Sequence, residues 1–183
     1  MIPMRRRLVA LAILSFLAGC AGSSEQVAMR QVEPLGAFKL GYVVVVADNA
    51  QKVQPSRNVT EAEWENAMKA ALERRFKPLA GDQFYHVAVA VRGYSVAVPG
   101  VPVVMSPKSV IVVEANVWDD AKQAKINEKP KQFVVLESVS PDTVIGSGLT
   151  KSKSEQVANL SANAARQIED WMRDHPEWFA KRN

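Results

Sequence analysis

Cysteine and histidine are the scarcest reactive residues in this 183-residue chain. There is one cysteine, Cys20, and there are two histidines, His86 and His175. A single cysteine cannot form a disulfide within the chain, and a zinc site needs three or four ligands at workable spacing. We therefore predict no metal and no cofactor. We expect His86 to bond to a neighbour within a strand, and His175 to act as a favourable cation at a helix C-terminus.

Catalytic and nucleotide-binding signatures are also missing. No Gly-x-Ser-x-Gly nucleophile turn occurs, and the glycine-containing segment Gly146-Ser-Gly-Leu-Thr-Lys151 lacks both a third glycine and a Gly-Lys-Ser/Thr ending. With Lys151 and Lys153 nearby, a helix N-terminus at this point could still hold an anion. A plain loop followed by a helix cap is the simpler interpretation.

Two pairs of acidic residues are candidates for a site that uses two carboxylates. Asp119 and Asp120 are adjacent, so on an extended strand they point to opposite faces and share no site; we interpret them as solubilising turn residues. Glu114 and Glu137 lie on neighbouring predicted strands. Glycoside hydrolysis needs two carboxyl groups roughly 5–10 Å apart, so this is the pair on which an enzymatic function would depend.

Long hydrophobic runs are absent apart from one short stretch near the N-terminus. Arg5, Arg6 and Arg7 precede a mostly apolar run from Leu8 to Leu17, followed by Ala18-Gly19-Cys20. Ten residues in a helix reach about 15 Å, roughly half of the hydrocarbon core of a membrane. A basic start, a short apolar core and small residues at the end are typical of an export signal. A transmembrane anchor or a chance Gly-Cys pair are the alternatives.

The ending Leu17-Ala18-Gly19-Cys20 resembles the lipobox of bacterial lipoproteins. The resemblance implies cleavage before Cys20 and a diacylglycerol on its sulfur, which leaves no free thiol. The segment after Cys20 is small and polar with little periodicity, so we predict three segments: a cleaved signal peptide (1–19), a lipidated cysteine with a flexible tether (20–34) and a folded domain (35–183). Ala21 follows the cysteine, and the aspartate that retains lipoproteins at the inner membrane in enteric bacteria is absent. We therefore expect the outer membrane's periplasmic leaflet rather than the inner membrane.

The net charge of +4 belongs largely to the predicted signal peptide. That peptide contains three of the 23 basic residues and none of the 19 acidic ones. The remaining chain carries 20 basic and 19 acidic side chains. This nearly neutral charge does not indicate a nucleic-acid partner.

Hydrophobic periodicity predicts two amphipathic helices. Thr60 and Glu63 form a capping box before a helix through Lys77, and Ser152 and Glu155 form a second box before a helix that ends at Pro176. Trp178 and Phe179 are expected to fold back as a terminal aromatic clasp.

Four strands are predicted between and before these helices. The β-branched run of 41–47 predicts a central strand buried on both faces. The segment 84–98 alternates, with Tyr85 and three valines on one face and His86 with small residues on the other. Strands at 109–118 and 132–139 follow, joined by an exposed connection. The order β-α-β-β-β-α predicts an α+β two-layer sandwich, with one mixed sheet and two helices on one face. This arrangement is similar to small Gram-negative envelope lipoproteins of unknown function.

The segment 99–107 is the predicted interaction loop. Its apolar side chains are Val101, Val103, Val104 and Met105, and its three prolines interrupt strand pairing. An exposed apolar loop marks a binding surface. The alternative is that these side chains tuck into the open face of the sheet.

We therefore expect a membrane-anchored periplasmic lipoprotein that is not an enzyme and binds an envelope protein partner. The partner site is either the open sheet face or the interaction loop. A small-ligand or lipid-binding module of an envelope transport system is the alternative, for which a cavity over Ala88 and Ala90 would be evidence. A carboxylate enzyme acting on cell-wall glycan is the third hypothesis.

Overall fold

The computed structural model describes residues 33–98, 109–138 and 151–182. Within these ranges six strands form one mixed sheet, and two helices pack on it. The α+β architecture predicted from the sequence is confirmed. The elements are β1 (Phe38–Val46), β2 (Gln51–Lys52), α1 (Glu61–Phe76), β3 (Gln83–Ser95), β4 (Val110–Asp119), β5 (Ala124–Lys125), β6 (Lys131–Leu136), α2 (Lys153–Arg173) and a 3₁₀ turn (Pro176–Phe179).

Both helices begin at the predicted capping boxes. The side chain of Thr60 accepts a hydrogen bond from the backbone N–H of Glu63, whose carboxylate in turn accepts from the Thr60 N–H. Ser152 and Glu155 repeat this arrangement at the start of α2. Each box satisfies backbone donors that a helix N-terminus otherwise leaves free.

The four longer strands lie in the order β1-β3-β4-β6. β1 runs parallel to β3, and the β3–β4 and β4–β6 pairs are antiparallel. The two-residue strands β2 and β5 were not predicted. β2 continues the edge beside β3, and β5 pairs with the end of β4.

The core lies between the helices and one face of the sheet. The predicted large-residue face of β3 is buried, from Tyr85 to Val91, and so are alternate residues of β4 from Ile111 to Val117. Trp64, Met68 and Leu72 of α1 are fully buried against them. This alternation along each strand places every second side chain on the helix side.

The C-terminal aromatic clasp is also confirmed. Phe179 is fully buried, and its ring stands edge-on to those of Phe38 and Tyr85, with centroids 5.5 and 5.1 Å away. The backbone carbonyl of Phe179 accepts a hydrogen bond of 2.7 Å from the N–H of Ala37. The end of the chain therefore closes the core beside the start of β1.

One strand prediction is wrong. β1 is not a central strand buried on both faces; among the described strands, β3 is its only partner across the sheet. Tyr42 is 74% exposed and Val44 is 53% exposed, whereas Val43 and Val45 are partly buried against the core. A continuous β-branched run does not report burial by itself, because valine also favours an edge strand that has one exposed face.

Candidate functional site

The sheet face opposite the helices is the main candidate site, and we call it the open face. Of the eight large hydrophobic side chains that are exposed among the described residues, seven belong to it. They are Tyr42, Val44 and Val46 of β1, Phe84 of β3, Trp118 of β4, and Val134 and Leu136 of β6. A concentration of exposed apolar side chains on one face makes that face a candidate interaction site.

The centre of the open face is lower than its surroundings. β3 contributes the half-buried small residues Ala88 and Ala90. Across the β3–β4 pair these alanines lie beside Asn116 and Glu114. Small side chains on β3 therefore run alongside longer ones on β4.

The central charges of the open face are paired within the chain. The Nε of Arg92 lies 2.8 Å from Oε2 of Glu114, and the two side chains are 48% and 28% exposed. The pair neutralises the middle of the face without removing it from water.

His86 of β3 links Tyr42 of β1 and Asp120 on the open face. Its Nδ1 accepts a hydrogen bond from the backbone N–H of Tyr42 at 2.9 Å, so the Nε2 proton is directed at Oδ1 of Asp120, 3.0 Å away. The ring also lies 5.2 Å from the ring of Tyr42. His86 thus bonds to its neighbours, as the sequence predicts.

His175 lies at the end of α2, as expected. Its Nδ1 is 2.9 Å from the carbonyl oxygen of Trp171 in the last turn of the helix, and its ring stacks on that of Trp178 at 4.1 Å. Neither histidine lies in a group of three or more metal-ligating side chains within the described ranges.

The two carboxylate pairs do not form sites. Glu114 faces the open side and bonds to Arg92, whereas Glu137 is 5% exposed and bonds to Lys151 at 3.0 Å. Asp119 and Asp120 point to opposite faces as predicted. However, the prediction that Asp119 is a solubilising turn residue is wrong, because it is 1% exposed.

Asp119 is instead an anchor for the C-terminus. Nη1 of Arg182 lies 3.0 and 2.9 Å from its two carboxylate oxygens, and the backbone N–H of Lys122 donates to Oδ1. Burial by itself would raise the pKa of Asp119. The hydrogen bonds from Arg182 and Lys122 outweigh it and lower the pKa below its ordinary value.

The two lysines near α2 form ion pairs. Lys151 binds Glu137, as described above. Lys153 lies 2.6 Å from Glu63 of α1, and this hydrogen bond lowers the pKa of Glu63. These pairs join the start of α2 to β6 and to α1.

A separate cavity of about 480 Å³ opens where β1 ends and α1 begins. Its lining is Ala47, Ala50, Val59, Thr60, Glu61, Ala62, Trp64 and Tyr94. Ala88 and Ala90, over which a cavity would have been evidence for the ligand-binding alternative, are not among the residues that line it. The Nε1–H of Trp64 is buried and has no hydrogen-bond partner in the described part of the chain.

Several predicted residues lie outside the described ranges. They are the lipid attachment site Cys20 and the interaction-loop residues Val101, Val103, Val104 and Met105. In the ranges that are described, no helix has the length and apolar character needed to cross a membrane.

The sequence did not single out the residues of the open face, although the open face itself was one of the two predicted partner sites. A signal was present in β6, where valine or leucine occupies consecutive positions from Val134 to Leu136. An apolar residue at every position of a strand gives both faces an apolar surface, even when helices cover only one of them.

Comparisons with known proteins identify structural neighbours but no family. No family model matches the chain, and no curated protein matches it. A candidate lipoprotein from Caulobacter crescentus is 11% identical with a TM-score of 0.37, over 70% of this chain and 91% of that one. A DUF330 protein from Xanthomonas campestris is 10% identical with a TM-score of 0.42, over 79% and 92%. A minor lipoprotein from Acinetobacter baumannii is 14% identical with a TM-score of 0.33, over 73% and 93%.

Proposed function

We propose that this protein is a non-enzymatic lipoprotein of the Gram-negative cell envelope that binds a protein partner through its open face. Cys20 carries the lipid, and the anchor lies in the periplasmic leaflet of the outer membrane. The observation that carries the binding role is the concentration of exposed apolar side chains on the one sheet face that the helices leave free.

The anchor is supported by the sequence of the first 20 residues. The three arginines, the short apolar run and the four lipobox positions occur in the order that an exported lipoprotein requires. Two acyl chains or more hold a protein stably at a membrane, whereas a single chain binds reversibly.

Cys20→Ser tests the anchor. We expect the variant to remain uncleaved or to be recovered without lipid, and the wild-type protein to fractionate with outer membranes. Ser15→Ala is the matched control because it changes a neighbouring small residue and leaves the lipobox intact. Normal lipidation and membrane retention of Cys20→Ser would disprove the anchor.

The non-enzymatic role is supported by the separation of the candidate carboxylates. Glu114 and Glu137 lie on opposite sides of the sheet, and each is held by its own cation. A pair of carboxyl groups facing one substrate is what a glycan hydrolase needs.

Photo-crosslinking from the open face tests the binding role. A benzoylphenylalanine at position 42, where Tyr42 is highly exposed, should capture one identified protein in intact cells. The same group in place of exposed Ala158 on α2 is the control. Equal capture from both positions, or none from position 42, would contradict binding through this face.

The open cavity beside α1 is the place to test a second candidate function, the binding of a small ligand or lipid. Its volume of about 480 Å³ lies in the range of ordinary ligand sites, and three alanines, Ala47, Ala50 and Ala62, are among the residues that line it. A titration with laurate, followed through the NMR signal of the Trp64 indole N–H, tests this function. Ala50→Phe should abolish the response and Ala158→Phe should not; an unmoved signal in the wild-type protein removes the candidate.

A further inference from the structure

β1 carries one extra residue where it passes His86. Two residues of β1, Gly41 and Tyr42, lie opposite this single residue of β3, because the β1–β3 register shifts there. A bulge of this kind leaves a backbone group without a partner in the ladder. The His86 side chain takes the place of that partner, since its Nδ1 accepts the Tyr42 N–H at 2.9 Å. A titratable side chain therefore replaces a backbone carbonyl at this point of the sheet.

This hydrogen bond fixes the protonation state of His86. A ring nitrogen that accepts a hydrogen bond carries no proton, so the proton of the neutral ring is on Nε2, which lies 3.0 Å from Oδ1 of Asp120. Both nitrogens of an imidazolium are donors. A protonated Nδ1 and the Tyr42 N–H would therefore be two donors facing each other. The contact with Asp120 survives protonation, because a bond between charged groups is stronger than one between neutral groups.

We propose that His86 is a pH-sensitive bridge between β1 and β3. The neutral ring holds the Tyr42 N–H, and the protonated ring releases it while remaining on Asp120. Histidine is the side chain whose charge ordinarily changes between pH 5 and 8. β1 also presents the exposed side chains of Tyr42, Val44 and Val46, so acidification alters the open face from its β1 side. This inference rests neither on the lipid anchor nor on a partner.

The contacts around the ring make β1 the part that moves. His86 belongs to β3, which pairs with β1 on one side and with β4 on the other, whereas β3 is the only partner of β1 across the sheet among the described strands. Asp120 is also held to β3, because its backbone N–H donates to the carbonyl of Phe84 at 3.2 Å. Tyr42 is highly exposed, so water can bind the released N–H without the core opening.

The acidic group that contacts the ring opposes the backbone contact. Asp120 favours the imidazolium, whereas the Tyr42 N–H favours the neutral ring. Removing the carboxylate should therefore shift the release of Tyr42 to lower pH. Other charged or titratable groups that neighbouring strands bring to this region are Tyr42 and Lys39 of β1, and Lys125 of β5, which pairs with Trp118 beside His86.

A pH titration of the full-length protein in detergent micelles tests the bridge. The chain has two histidines and three tyrosines, so selective ¹⁵N labelling of both residue types resolves the groups concerned. Nδ1 of His86 should be unprotonated at pH 8 and should take up a proton as the pH falls to 5. The opening constant of the Tyr42 amide, from hydrogen exchange corrected for the intrinsic effect of pH, should rise about tenfold with the same midpoint, since one hydrogen bond is lost. The amides of Tyr85 and Tyr94 in β3 should not change.

Variants separate this hydrogen bond from other effects of acid. His86→Asn supplies a side-chain oxygen that does not titrate, so the Tyr42 amide should stay closed at both pH values. His86→Phe keeps a ring without an acceptor and should leave that amide open at both. Asp120→Asn should lower the midpoint. His175→Gln removes the other histidine of the chain, and as the matched control it should reproduce the wild-type profile.

Two results would overturn the proposal. One is a Tyr42 amide in the wild-type protein that opens equally at pH 5 and pH 8, and the other is a His86→Phe variant that keeps the wild-type profile. Protection of the Tyr85 and Tyr94 amides shows that a variant is folded. If a variant does not fold, the shared midpoint of His86 protonation and Tyr42 opening in the wild-type protein decides the question. The anchor and the binding role are tested by other measurements, so each can fail without the bridge.

Discussion

The imidazole ring of His86 occupies the space that Gly41 leaves empty. A Cβ atom on Gly41 would lie 2.4 Å from Nδ1 of His86 and 3.2 Å from the carbonyl oxygen of Tyr85. Gly41 also lies where the β1–β3 register shifts, next to the Tyr42 N–H that bonds to the ring. The absence of one side chain thus allows His86 to join β1, β3 and Asp120 on the open face.

Gly41→Ala should therefore destabilise the protein. Forcing a methyl group into this contact costs about 1–3 kcal/mol, which for a domain of this size lowers Tm by several degrees. Thermal unfolding measures the effect. Gly93→Ala is the control, since its Cβ would lie 3.4 Å from the nearest atom, an ordinary contact. In a His86→Ala background the cost of Gly41→Ala should fall, and an unchanged cost would show that the ring is not its cause.

Phe179→Ala should cost about 3–5 kcal/mol of unfolding free energy, because it leaves a cavity between Phe38 and Tyr85. Denaturant titration checks this value. Phe84→Ala is the matched control: that ring is 47% exposed and should cost under about 1 kcal/mol. Equal costs for the two variants would mean that the clasp does not contribute to the core.

Asp119 should make stability depend on acid pH. Its pKa is lowered in the folded state by Arg182 and Lys122. A carboxyl with a lowered folded pKa stabilises the fold above its unfolded pKa, near 4, and this contribution is lost as pH falls through the folded pKa. Asp119→Asn should therefore be less stable than the wild type at pH 7, by about 1–2 kcal/mol, and the difference should shrink below pH 4.

Denaturant unfolding of both proteins between pH 2 and 7 measures this dependence. Asp48→Asn, at an exposed turn position, is the control and should give no comparable difference at any pH. A constant gap between wild type and Asp119→Asn over the whole range would contradict the ion-pair explanation.

Arg173 connects the start of the described chain to α2. Its guanidinium donates to the backbone carbonyls of Glu33 and Pro34, at 2.7 and 3.3 Å, and binds Glu169, which also pairs with Arg75. Arg173→Ala should cost about 1–3 kcal/mol, since it leaves the buried Glu169 with one cation fewer. It should also speed hydrogen exchange around Leu35.

Arg166→Ala is the control for this prediction. Arg166 and Asp170 lie 3.9 Å apart with both side chains more than half exposed, and such pairs contribute little. Hydrogen exchange and unfolding free energy are measured on both variants. Equal effects would show that the contacts of Arg173 with Glu33 and Pro34 add nothing to the free energy of unfolding beyond what an exposed ion pair contributes.

Sequence reasoning predicted the elements whose signals are local. The capping boxes at Thr60 and Ser152 set where the helices begin, because each box satisfies backbone donors within three residues. The alternation in β3 identified its buried face, because side chains along a strand point to opposite sides. The hydrophobic periodicity likewise predicted that both helices are amphipathic, because residues three and four apart lie on one face of a helix.

What only the tertiary structure decided depends on residues far apart in the chain. Whether β1 lies at the edge or the centre is set by strand order, and no residue within its valine run reports that order. Asp119 looked like a turn residue because its partner Arg182 is 63 positions away. The open face, likewise, is a property of four strands and two helices together, since a side chain is exposed only when no other element covers it.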